Sequence, residues 1–126
     1  MQSYIYNSKS ENDTKKIAFK MASMLKKGDL IVLCGDLGSG KTKFTEGVLT
    51  YFGLEDSSEF YAIGGDEYFE NGICLVEWGE LIQDALPNEY IKINFSRDES
   101  YENERVLNIQ SIGKKYDNII ESLKGE

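Results

Sequence analysis

The stretch "DLIVLCGDLGSGKTKF", Asp29 to Phe44, constrains the fold more than any other part of this chain. A short apolar, β-branched run bounded by glycines has the pattern of a strand buried in a parallel sheet. The glycine-rich turn comes next, and Lys41 to about Phe52 reads as a helix ended by Gly53. Strand, glycine loop and helix in that order predict an α/β sheet flanked by helices.

Gly35-Asp36-Leu37-Gly38-Ser39-Gly40-Lys41-Thr42 satisfies the P-loop pattern G-x-x-x-x-G-K-[ST] at every fixed position. Glycines let backbone N–H groups close around phosphate oxygens, and the following helix presents its positive end. Lys41 is expected to neutralise the β- and γ-phosphates of a nucleotide, and the Thr42 hydroxyl to bind magnesium. A phosphate-transfer site also needs a carboxylate on the metal side. Glu77 is the candidate, at the end of a second apolar run, "GICLVEW". Arginine is scarce, Arg97 and Arg105 only, both far along the chain from the loop. An arginine finger is worth about 10³ to 10⁵ in rate, so slow hydrolysis by the chain alone is the expectation.

At 126 residues the chain is read as one domain, 1–126. The net charge of -8 opposes long-range attraction to nucleic acid or anionic membrane. There is no histidine, which removes imidazole bases and ligands. Cys34 and Cys74 lie in apolar runs and read as small buried hydrophobes. The start "MQSYIYNSKSEND" has neither a basic segment followed by an apolar one nor a membrane span, so the reading is cytoplasmic.

A first helix is expected from a cap at Asn12 or Asp13 to about Lys27. A third helical piece is expected from Asp56 or Ser57, with Phe60 and Ile63 inward. "EYIKINF" and "RVLNIQSI" predict C-terminal antiparallel strands, and Lys114 to Lys124 a last amphipathic helix.

Three blocks together resemble the TsaE family, also called YjeE, small P-loop ATPases of the tRNA threonylcarbamoyladenosine pathway. They are "GDLIVLCGDLGSGKTKFTEGVLTYFG", "LEDSSEFYAIGGDEYF" and "ICLVEWGELI". The resemblance implies ATP or ADP with magnesium as ligands, and nucleotide contacts from Gly35, Asp36, Leu37, Gly38, Ser39, Gly40, Lys41, Thr42 and Lys43. Glu11 is placed by it at the border of the adenine, Arg105 beside the nucleotide, and Thr42 and Glu77 on the metal. It also implies work with the TsaB and TsaD proteins, which transfer threonylcarbamoyl to adenosine in the tRNA anticodon loop, with tRNA met only through them.

The family's usual segment between the P-loop helix and the next helix, an S-P-T-[FY]-T strand, a second strand and a D-x-Y-R element, is missing here, because Gly53 runs directly into Leu54. The sheet is therefore expected to be two strands short, and an exposed edge would favour self-association. The same loss motivates the alternative that the chain is a nucleotide-dependent interaction module with little or no hydrolysis.

Overall fold

The computed structural model describes residues 2–26, 28–35, 40–53, 60–61, 73–77, 86–97 and 104–125. Its elements in chain order are β1 (Ser3–Ser8), α1 (Glu11–Ala22), β2 (Leu30–Cys34), α2 (Lys41–Tyr51), β3 (Phe60–Tyr61), β4 (Ile73–Glu77), β5 (Tyr90–Arg97), β6 (Arg105–Ile112) and α3 (Asp117–Lys124). The strands form one sheet in the order β1-β6-β5-β2-β4-β3. β5, β2, β4 and β3 run parallel, while β6 pairs antiparallel with both β1 and β5.

β2 is buried along its whole length, as a parallel strand covered on both faces should be. On one face Ile31 and Leu33 join Leu75, Ile91, Ile93, Phe95 and Leu107 under the helices, which contribute Met21, Phe44 and Ile120. On the other, Leu30, Val32 and Cys34 pack with Cys74 and Val76. Both cysteines are buried thiols outside any disulfide, in line with their apolar surroundings. Among the described residues no helix is long and apolar enough to cross a membrane.

Several boundaries differ from those expected. α1 is capped by Ser10, whose hydroxyl accepts from the Asp13 N–H, and it ends at Ala22 rather than near Lys27. "SYIYNS" forms β1, a strand not anticipated, held antiparallel to β6. Phe60 and Tyr61 pair in parallel with Ile73 and Cys74, so Phe60 lies on a strand and not on a helix. Backbone pairing with β4 at the sheet edge outweighs helical spacing there. Ile63, Asp66, Glu67 and Trp78 lie outside the described residues. β2 pairs directly with β4, from Leu30 opposite Cys74 to Leu33 opposite Glu77.

A buried polar tie joins α3 to the start of β2. Asp29 is 1% exposed; its carboxylate accepts from the Tyr116 hydroxyl at 3.0 Å and from the Lys26 N–H at 2.8 Å. Burial, with the Asp29 charge and hydrogen bond, pushes the Tyr116 phenol well above its ordinary value near 10. The unfolded chain therefore loses this proton first as pH rises. The folded state then binds more protons than the unfolded, and stability present below pH 10 is lost progressively above it. Tyr116→Phe is expected to cost about 1–2 kcal/mol at neutral pH, by taking a donor from a buried carboxylate. It should also flatten the alkaline limb of a stability-against-pH curve measured by denaturant unfolding.

Candidate phosphate site

The two main helices begin in opposite chemical styles. α1 has a side-chain cap from Ser10 and acids, Glu11 and Asp13, in its first turn. α2 begins at Gly40 with no side-chain cap and no acid in its first turn. A helix start normally carries such groups to satisfy its N–H donors and complement its positive end. Their absence leaves the start of α2 suited to an outside anion.

Gly40 can occupy this position because its φ is 111°, where a side chain would be strained. Lys41 follows and is only 6% exposed. Its Nζ donates to the carbonyl oxygen of Gly35 at 2.7 Å, which ties the start of α2 to the residue that follows β2. A buried cation held on a backbone carbonyl beside an uncapped helix start is a donor set that fits phosphate oxygens. Thr42 is exposed at the same helix start. Asp36, Leu37, Gly38 and Ser39 lie outside the described residues.

Sheet order brings the remaining candidates round this point. Glu77 ends β4 opposite Leu33, one residue from the end of β2, so its backbone stands at the carboxyl edge from which the loop departs. A hydroxyl and a carboxylate are the hard oxygen ligands magnesium takes, so Thr42 and Glu77 are suitable types for it. Glu11 forms an ion pair with Lys43 at 3.9 Å, which sets the start of α1 beside the first turn of α2. Lys43 also meets Glu46 at 3.2 Å.

Arg105, far from the loop along the chain, comes close to the start of α2. Its Cγ lies 3.6 Å from where a Cβ on Gly40 would stand, and a Phe95 ring carbon lies at the same distance. Chain distance hides this approach, because β6 reaches α2 only through the pairing of β6 with β5 and of β5 with β2. Phe95 was not among the candidates, although the clean alternation of its strand marks it as inward-facing. It meets Phe44 edge-on, with ring centroids 5.8 Å apart, and so holds α2 against β5.

The chain matches a family model described as threonylcarbamoyl adenosine biosynthesis protein TsaE, in two segments, residues 8–60 and 51–107. The tRNA threonylcarbamoyladenosine biosynthesis protein TsaE of Bacillus subtilis is 34% identical over 142 positions, covering 88% of this chain and 87% of that protein. Its namesake from Rickettsia conorii is 30% identical over 116 positions, covering 68% of this chain and 66% of the relative. Among solved structures, Bacillus subtilis YdiB superposes with a TM-score of 0.84 at 30% identity, over 98% of this chain and 95% of that one. The 142 aligned positions exceed the chain's own 126 residues, so the relative holds residues with no counterpart here. The two family-model segments overlap over 51–60, the stretch that holds the Gly53–Leu54 junction.

Proposed function

Since the chain belongs to the TsaE family and so to tRNA threonylcarbamoyladenosine biosynthesis, we propose that it binds ATP with magnesium at the Gly35–Thr42 loop, hydrolyses it, and works with TsaB and TsaD proteins. The observation that carries this reading is the buried Lys41, its ammonium held on the Gly35 carbonyl oxygen at the uncapped start of α2. Lys41 holds the outer phosphates, Thr42 and Glu77 take the metal, and Arg105 with Glu11 and Lys43 forms the flank on the other side of the loop. Magnesium, when bound, supplies charge neutralisation at the leaving and transferred phosphates. With a net charge of -8, tRNA is met through the partner proteins and not directly.

The missing segment favours a second reading, a nucleotide-dependent interaction module with little turnover. The family's aspartate and threonine from that segment have no match in this chain. Titration with ATP and ADP in magnesium, followed by phosphate release with and without the TsaB and TsaD pair, separates the two. The expected result is binding, slow release alone and faster release with the pair, reduced about tenfold or more by Glu77→Gln. Binding without release under any condition leaves the interaction module, and failure to bind either nucleotide overturns both.

A further inference from the structure

β1 is an edge strand: β6 pairs with one side of it, and among the described residues nothing pairs with the other. The Ser111 N–H donates to the Gln2 carbonyl oxygen at 2.9 Å, so the Gln2 backbone points at β6, as does that of every second residue after it, Tyr4, Tyr6 and Ser8. The N–H and C=O groups of Ser3, Ile5 and Asn7 therefore point away from the sheet. At Lys9 this open run ends, because the Lys9 N–H donates to the Asp13 carboxylate at 3.0 Å.

Edge strands are ordinarily guarded against further pairing by a charge, a proline, a bulge or extreme shortness. β1 has none of these: "SYIYNS" carries no charge and no proline, and its 6 residues pair with β6 in unbroken register. The side chains of Ser3, Ile5 and Asn7 are exposed as well, Ile5 being a large apolar one.

The open run is also complementary to itself. Two copies laid antiparallel about a two-fold axis at Ile5 set Ile5 opposite Ile5 and Ser3 opposite Asn7. Every outward N–H and C=O from Ser3 to Asn7 then has a partner, and Tyr4 of each copy faces Tyr6 of the other as a cross-strand aromatic pair. Within one copy those two rings already lie 6.5 Å apart, centroid to centroid. Centring the pair on Tyr4 leaves Asn7 beyond the partner strand, and centring it on Tyr6 sets Ser3 against Lys9, whose N–H is taken. We infer that the chain forms a two-fold dimer through β1, with Ile5 at the axis and the two sheets joined into one. A strand edge of 6 residues is small beside the roughly 1,600 Å² of a standard interface, so the dimer is weak and concentration-dependent. β1 is the edge opposite β3, so the pairing depends neither on the missing segment nor on the reading of the loop as a nucleotide site.

Sedimentation equilibrium of the full chain over rising concentration tests this, with a reversible monomer–dimer equilibrium as the expected result. Ile5→Lys puts two like charges at the axis and is expected to weaken association about tenfold or more. Ile5 is half exposed, so the dilute variant should melt as the parent does. Cysteine cross-linking reads the register: Ile5→Cys should oxidise to a covalent dimer alone, whereas Ser3→Cys and Asn7→Cys should cross-link when mixed and neither with itself. A parent that stays monomeric up to about 1 mM overturns the inference, and so does an Ile5→Lys protein that associates as the parent does. Ser3→Cys that cross-links with itself as readily as with Asn7→Cys overturns it too. A monomeric parent whose binding to the TsaB and TsaD pair is lost in Ile5→Lys gives the edge to another chain and likewise overturns self-pairing.

Discussion

Gly47→Ala is expected to lower stability by about 1–3 kcal/mol, against the usual direction for such a change. Within a helix, alanine normally improves on glycine by about 1 kcal/mol. Gly47 sits where α2 crosses α1, and a Cβ there would lie 2.5 Å from the Lys15 carbonyl oxygen and 2.8 Å from the Ala18 Cβ. Those atoms are backbone and a first side-chain carbon, so no rotamer change makes room and the helices must separate. Separation loosens the packing of Phe44 and Val48, both 0% exposed, against the sheet. It also moves Lys41 and Thr42, which begin the same helix, so nucleotide affinity should fall along with the melting temperature. Denaturant unfolding of the unliganded protein is the direct measurement. A Gly47→Ala protein more stable than the parent would show that the helices do not approach so closely.

The elements legible from the sequence are those whose burial is complete. β2 and β4 are continuous apolar runs because both their faces are covered, and β5 and β6 alternate because the Ile91, Ile93 and Phe95 face, like the Leu107 and Ile109 face, is sealed under helices. β1 escaped notice because it is an edge strand of half-buried tyrosines, with Ile5 51% exposed. Its partner, β6, lies at the other end of the chain, and no local signal encodes that pairing. The end of α1 was misplaced for a related reason: Met24 and Leu25 continue the apolar spacing but pack from a turn.

The site divides the same way. The loop, the Lys41 position and Glu77 are written in contiguous motifs, because their chemistry depends on local backbone geometry. The Arg105 approach to Gly40 and the pairing of Glu11 with Lys43 depend on strand order and helix packing, which a linear motif does not contain. Resemblance to a family supplied Glu11 and Arg105 where residue patterns alone did not.

Lys41→Ala is expected to cost about a hundredfold in ATP affinity. Lys41 is 6% exposed, so its charge acts through little solvent, and a charge-assisted contact there is stronger than at an open surface. In the unliganded protein the ammonium rests on the Gly35 carbonyl at 2.7 Å, which holds it in place before a nucleotide arrives. Little ordering then has to occur on binding, and the interaction appears in the affinity. Lys41→Arg should not restore it, because a planar guanidinium is larger than the ammonium this buried position holds. Lys41→Met keeps the stem and removes only the charge, so equal losses in the alanine and methionine proteins would assign the effect to the ammonium. If the group holds the outer phosphates, the loss should be larger for ATP than for ADP. Unchanged ATP affinity in Lys41→Ala, in a protein that melts as the parent does, would remove the basis for reading Gly35 to Thr42 as a phosphate site.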